Sequence, residues 1–156
     1  MRAYADSSFI LRLVTGETDS PQTIAAYRRL GLPRLLFLPL HALEVRNAIL
    51  QRAFHHRHAI SSGERRSVAR ERDAALARLE HLVARRALLE VSLDMDAAIA
   101  RAATLSAAHT ERLGARAIDL LHVASALTLA CELFLTTDGR QAHLAKAEGL
   151  KVVQTG

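Results

Sequence analysis

Four carboxylates in this chain of 156 residues stand where an acid can do more than keep a protein soluble. Asp6 follows the short β-prone run Arg2-Ala3-Tyr4-Ala5 and precedes an apolar helical pattern. Glu44 lies in the first turns of a predicted helix that follows Leu35-Leu36-Phe37-Leu38. Asp119 opens the most apolar helical pattern of the chain, between Ile118 and Leu120. Asp138 closes Phe134-Leu135-Thr136-Thr137-Asp138, just before Gly139. In an open parallel sheet, the carboxyl ends of the strands and the starts of the following helices share one edge, where ligands collect. Four acids far apart in sequence therefore have a common place to meet.

Carboxylates brought together repel and raise one another's pKa unless a divalent ion neutralises them. A pocket of oxygen ligands without thiolates suits Mg²⁺ or Mn²⁺ rather than Zn²⁺. Such a site performs phosphoryl chemistry: the ion lowers the pKa of a bound water, orients it and offsets charge developing on the phosphate. No general-base histidine is required. Each acid also has an ordinary structural reading. Asp6 is a good helix N-cap, Asp138 before Gly139 suits a turn, and an acid in a first helical turn gains about 0.3–1 kcal/mol from the macrodipole. Asp119 is the hardest to dismiss, because an ionised acid among Ile118, Leu120 and Leu121 is costly to bury without a partner. It needs a cation, from Arg116 one turn earlier or from a metal.

The elements that must position these acids read as an alternation of short strands and helices. Residues 7–15 carry Phe9, Ile10, Leu13 and Val14 at helical spacing and stop at Gly16. A second helix is capped by Asp19 or Ser20, with Pro21 at its first position, and ends at Gly31. The strand at 35–38 is closed by Pro39, and a helix runs from about 40 to 57. Ser61-Ser62-Gly63-Glu64 has the pattern of another helix start, leading into a charged amphipathic helix over 64–86. A strand at 88–91, a helix capped by Asp94 running to about 110, and an apolar helix over 116–131 follow. The chain closes with a strand at 133–136, a helix over 139–148 and a strand at 152–153. This order predicts one three-layer α/β/α domain spanning 1–156, with a central parallel sheet of four to five short strands.

Composition sets the class. Half the residues are hydrophobic and few are aromatic, a globular, helix-rich profile. The formal charge is +5, and every cation but Lys146 and Lys151 is arginine. Arginine suits bidentate contact with phosphate, so a polyanionic partner and a merely Arg-rich composition both account for the charge. A single cysteine, Cys131, builds neither a disulfide framework nor a thiolate metal site and fits a reducing compartment. The first residues lack a signal-peptide pattern and no apolar run approaches membrane-spanning length, so a soluble, cytoplasmic protein with no membrane association is expected.

The order and surroundings of the acids resemble the PIN-domain nucleases, and within them the VapC-type toxins of bacterial toxin–antitoxin pairs. The resemblance is carried by Tyr4-Ala5-Asp6-Ser7-Ser8-Phe9-Ile10-Leu11, Leu43-Glu44-Val45-Arg46-Asn47-Ala48, the run from Ala117 through Asp119 to Ala126, and Leu135-Thr136-Thr137-Asp138. The closing Glu148-Gly149-Leu150-Lys151-Val152-Val153 is also similar to the family's last helix-to-strand step. The resemblance implies a divalent-metal-dependent endoribonuclease using Mg²⁺ or Mn²⁺, with Asp6, Glu44, Asp119 and Asp138 as its acidic metal-site positions. Thr136 and Ser7 match hydroxyl positions that support such a site. An RNA substrate, a homodimer and a heteromer with a small antitoxin are implied with it. Two departures stand out: Leu40-His41 replaces the Ser or Thr that often begins the Glu-bearing helix, and region 52–90 is long and basic.

Other residues have competing readings. The spacing from His55 to His58 puts two histidines on one helix face, but no third ligand is evident for a zinc site that takes four, and His55, His56 and His58 read as a solvated or RNA-facing cluster. His122, one turn after Asp119, is expected either to orient that acid, to touch substrate, or to be a hydrogen-bonded core histidine. Arg65, Arg66, Arg70, Arg72, Arg78, Arg85 and Arg86 track an RNA backbone or form a solvated face paired with neighbouring acids. Arg46, Asn47, Arg116 and Arg140 lie nearer the acids and are the expected phosphate contacts. Two rivals to a nuclease are a catalytically silent PIN-like RNA-binding or regulatory module, and a Mg²⁺-dependent phosphatase or phosphoacceptor domain. The second needs an Asp nucleophile with an acidic neighbour and a lysine partner. Here Asp6 is followed by Ser7-Ser8, and the two lysines are late in the chain.

Overall fold

The structure, a computed structural model, describes residues 1–59 and 64–156. Five short strands form one sheet: β1 (Ala3–Ala5), β2 (Leu35–Phe37), β3 (Leu88–Glu90), β4 (Leu133–Thr136) and β5 (Lys151–Gln154). Their order is β3-β2-β1-β4-β5, and every neighbouring pair is parallel. The helices are α1 (Ser7–Val14), α2 (Ser20–Arg29), α3 (Pro39–Ala59), α4 (Arg65–Ala84), α5 (Met95–Leu113), α6 (Ala117–Thr128) and α7 (Gly139–Ala147).

A parallel sheet covered on both faces needs apolar side chains at successive positions rather than alternate ones. The central strands meet that requirement. Ala3, Ala5, Leu35, Phe37, Leu133 and Leu135 join one core with Phe9 and Ile10 of α1, Val45 and Ile49 of α3, and Leu79 of α4. Tyr4, Leu36 and Phe134 point the other way, into a core with Leu105 of α5, Val123 and Ala124 of α6 and Leu144 of α7. The predicted three-layer α/β/α arrangement is therefore the observed one, with five strands. Among the described residues no helix is long and apolar enough to cross a membrane.

Three aspartates start helices as read from sequence. The side chains of Asp6, Asp94 and Asp138 each accept backbone N–H groups from the first turn of α1, α5 and α7. Elsewhere the details differ. Asp19 makes no capping bond with its side chain, and the Ser20 hydroxyl instead donates back to the Thr15 carbonyl. The apolar helix stops at Thr128 rather than 131, because the chain must turn through Ala130 (φ 51°) to enter β4. Cys131 consequently lies in that connection; it is still buried, and burial pushes its thiol up to about 11. The predicted helix start at 61–63 lies outside the described residues.

His41 explains how α3 begins without the expected Ser or Thr. Its Nδ1 accepts the Leu38 backbone N–H at 2.9 Å, three residues back, so an imidazole supplies the acceptor that a glutamate or glutamine supplies in a capping box. Pro39 then opens the helix with its φ already set. Glu44 is carried into the second turn, one turn above the sheet.

Candidate active site at the carboxyl edge of the sheet

The topology fixes where the acids lie. β1 and β4 are adjacent and in register at Ala5 and Leu135, so Asp6 and Asp138 leave the sheet side by side at its carboxyl edge. β2 is the other neighbour of β1, and α3 carries Glu44 from that same edge. α6 runs back toward the start of β4, which leaves its first turn, with Asp119, above the edge as well.

Asp6 is the centre of this group. It is 0% exposed, and both carboxylate oxygens are engaged: Oδ1 accepts the Phe9 N–H at 2.9 Å, and Oδ2 accepts the Thr136 hydroxyl at 2.7 Å. The Ser8 hydroxyl lies 2.8 Å from both oxygens. No ion pair to Asp6 forms among the described residues. Burial accordingly raises its pKa, against the hydrogen bonds and the nearby His122, which lower it. With only neutral donors, Asp6 is the least compensated carboxyl of the cluster.

Asp119 and Asp138 share an arginine. Arg116 is the N-cap residue of α6, set there by Gly114, which ends α5 in the left-handed region (φ 63°) that suits glycine. Its Nε and backbone N–H both donate to Asp119 Oδ2 at 3.0 Å, and its Nη2 donates to Oδ1 at 3.1 Å. The same Nη2 is 3.5 Å from Asp138 Oδ2. Asp119 is 0% exposed; burial pushes its pKa up, and the Arg116 bonds outweigh that push and hold it below the usual carboxylate range. Asp138 uses Oδ1 to cap α7 and keeps Oδ2 turned toward Arg116, with Arg140 at 3.9 Å.

Glu44 comes from the other helical layer and meets α6. Its Oε2 accepts from the Ser7 hydroxyl at 2.7 Å and lies 2.8 Å from His122 Nε2. Burial raises its pKa, but the His122 and Ser7 contacts prevail and the net shift is downward. The Asp119 charge is close enough to oppose that shift.

The sequence-predicted residues thus divide. Thr136, Ser7, Arg116 and His122 touch the acids directly, and Arg140 borders Asp138. His122 bonds Glu44 rather than Asp119 and, at 2% exposed, offers no face to a substrate. Arg46 pairs with Glu80 of α4 at 3.6 Å, and Asn47 is exposed one turn beyond Glu44. His55, His56 and His58 are exposed at the end of α3, away from the acids. A cleft of about 620 Å³ between α3 and α4, with Arg52, His56, Arg70 and Arg72 in its walls, is lined by none of the four acids.

Gln141 and Ser8 belong to the site and were not singled out in the sequence. Buried Gln141 donates to Asp119 Oδ1 at 3.2 Å, and Ser8 links Asp6 to the Thr137 hydroxyl at 2.8 Å. Gln141 did carry a signal. It stands three residues after the cap Asp138, where a capping-box side chain returns to the cap, and here it turns to Asp119 instead.

The donor chemistry fits a hard divalent ion: four carboxylates, no thiolate, and at Asp6 a buried carboxyl without a cationic partner among the described residues. Among the described residues no three His, Cys, Asp or Glu converge as on a formed metal cage. Arg116 supplies the positive charge between Asp119 and Asp138 in this geometry.

No curated protein matches the chain. Among solved structures, the crystal structure of FitAcB from Neisseria gonorrhoeae is similar, with a TM-score of 0.61 at 17% identity, over 97% of this chain and 96% of that one. At that identity the likeness is one of fold. The family model of the PIN domain matches residues 3–147, more than nine-tenths of the chain, and the protein belongs to the PIN-domain family.

Proposed function

We propose that this protein is a divalent-metal-dependent endoribonuclease and the toxin component of a toxin–antitoxin pair, acting as a single domain over residues 1–156. PIN-family membership and the VapC-type order of the acid motifs support this reading. The observation that carries it is the linkage of four acids from four elements at one edge: Thr136 joins Asp6 to Asp138, Arg116 joins Asp138 to Asp119, and His122 draws Glu44 to the first turns of α6.

Asp6, Glu44, Asp119 and Asp138 are the residues that would hold Mg²⁺ or Mn²⁺. When bound, such an ion would lower the pKa of a water and compensate charge on the phosphodiester. Asp6, buried and without a cationic partner among the described residues, would be the carboxylate that a cation at this edge compensates. Thr136 and Ser8 hold its carboxylate in one orientation, so little reorganisation is needed on binding. Arg116, 58% exposed and on a flexible stem, and Arg140 beside it provide guanidinium groups for the RNA phosphate. A small antitoxin that masks this edge, a homodimer and a cytoplasmic setting complete the proposal.

The test is expression of the wild type beside Asp6→Asn and Asp119→Asn, with growth and Mn²⁺-dependent RNA cleavage measured for each. Both effects are expected in the wild type and in neither variant. Full cleavage by either variant sinks the assignment, and RNA binding without cleavage by the wild type favours a catalytically silent module.

A further inference from the structure

Glu44 reaches the acid cluster from a different layer than Asp119 does. α3, which carries it, buries Val45 and Ile49 in the core on one face of the sheet, whereas α6 buries Val123 and Ala124 in the core on the other. What spans the gap is one imidazole. His122 Nε2 lies 2.8 Å from Glu44 Oε2, across 78 residues of sequence, and its Nδ1 lies 2.9 Å from the hydroxyl of Tyr4 in β1. The ring is 2% exposed and enclosed by other rings, with His41 stacked at 5.3 Å between centroids and Tyr4 edge-on at 5.9 Å.

Both ring nitrogens are therefore committed, one to a strand at the centre of the sheet and one to the carboxylate. Nothing on the ring is left to meet a substrate. The bonds to Glu44 from His122 and from Ser7 fall on the same oxygen, Oε2, and neither engages Oε1. Glutamate is long and loses much rotamer freedom when it is fixed, so an anchor of this kind decides how well it binds an ion.

We propose that His122 is a positioning residue for Glu44: the chain Tyr4 Oη, His122 Nδ1, His122 Nε2, Glu44 Oε2 holds this carboxylate at the carboxyl edge of the sheet, ready for a divalent cation. The inference rests on the reading of Glu44 as a cation ligand. It assigns His122 to the carboxylate of α3 and not to Asp119 of its own helix. Partners that orient a metal ligand typically carry about 10- to 100-fold in metal affinity or activity.

The experiment uses the full chain and Mn²⁺, titrated by electron paramagnetic resonance, with RNA cleavage followed in parallel. Three variants separate the contributions. His122→Phe keeps the ring's bulk and removes both nitrogens, His122→Gln retains a donor where Nε2 stood, and Tyr4→Phe removes one hydroxyl. His122→Phe is expected to weaken Mn²⁺ binding about 10- to 100-fold. His122→Gln should recover most of the loss, and Tyr4→Phe should fall between. In cleavage the loss should appear in kcat at fixed Mn²⁺, with KM for RNA within about twofold of wild type.

Unchanged Mn²⁺ affinity in a folded His122→Phe overturns the inference. So does an equal loss in His122→Phe and His122→Gln, or a raised KM with kcat intact. If His122→Phe does not fold, Tyr4→Phe decides by the same titration. The nuclease reading is checked independently by Asp6→Asn. If the wild type neither binds Mn²⁺ more tightly than Asp6→Asn nor cleaves RNA, that reading falls and takes this inference with it. If the wild type does both and the His122 and Tyr4 variants match it, only this inference falls.

Discussion

Thr136 and Asp6 face each other across adjacent strands, and the Thr136 hydroxyl donates to Asp6 Oδ2 at 2.7 Å while accepting the Asp138 backbone N–H at 2.9 Å. One buried hydroxyl thereby ties two of the four acids. Thr136→Val keeps the shape, strips the donor from Asp6 and leaves the Asp138 N–H unpaired. A loss of about 1–3 kcal/mol is expected in denaturant unfolding, together with a fall in cleavage. Thr136→Ser should retain most of both. Equal behaviour of the Val and Ser variants would count against the hydroxyl.

Asp6 itself should behave in two opposite ways. Its folded-state pKa is raised from 3.8, so between the two values the native protein binds more protons than the unfolded chain and stability falls as pH rises. Charging this buried group without a cation costs stability as pH rises through its raised folded-state pKa. Asp6→Asn keeps a capping side chain and removes that cost, so its Tm without divalent ions should exceed that of the wild type while cleavage disappears. Mn²⁺ should then raise the Tm of the wild type and leave Asp6→Asn unmoved. Equal stabilisation of the two by Mn²⁺ is the outcome that contradicts Asp6 as a ligand.

Arg116→Ala leaves Asp119 with one backbone N–H and Gln141. Because Arg116 is 58% exposed and screened by solvent, the expected cost is about 1–2 kcal/mol, below that of a fully buried pair. Asp119 has a lowered pKa, so its stabilisation is complete above the ordinary value of 3.8 and is lost as pH falls through the folded value. The gap between wild type and Arg116→Ala in urea unfolding should therefore close in acid. A gap that persists at the lowest pH would assign the loss to packing.

His41 makes the fold acid-sensitive from inside the core. Burial, with the neighbouring His122, lowers its pKa from 6.5 to about 3. Between those values the unfolded chain takes up a proton that the native ring refuses, so stability rises with pH across the window and is lost on acidification. His41→Gln keeps an acceptor for the Leu38 N–H without a titrating group. From about pH 7 to about pH 5 the wild type should lose about 2 kcal/mol more than this variant, measured by denaturant unfolding. Parallel pH profiles would show that His41 does not carry the effect.

Much of the molecule is legible in its sequence. Apolar runs of strand length alternating with amphipathic runs specify a parallel sheet between helical layers, because only that arrangement covers both faces of Leu35-Leu36-Phe37 and Leu133-Phe134-Leu135. Asp6, Asp94 and Asp138 were readable as helix starts, since capping needs only the aspartate and the backbone next to it. Arg116 and Asp119 were readable as a pair, being one helical turn apart.

What tertiary structure decided are the partnerships across the sheet. Gln141 turning from its own helix cap to Asp119, His122 taking Glu44 in place of the acid one turn before it, and Tyr4 anchoring that imidazole all join residues on different elements. Helical and strand periodicity report which face of an element a side chain occupies and say nothing of which neighbour lies opposite. That choice is made when two layers close on the sheet and most buried polar atoms take a partner that the closure brings within reach.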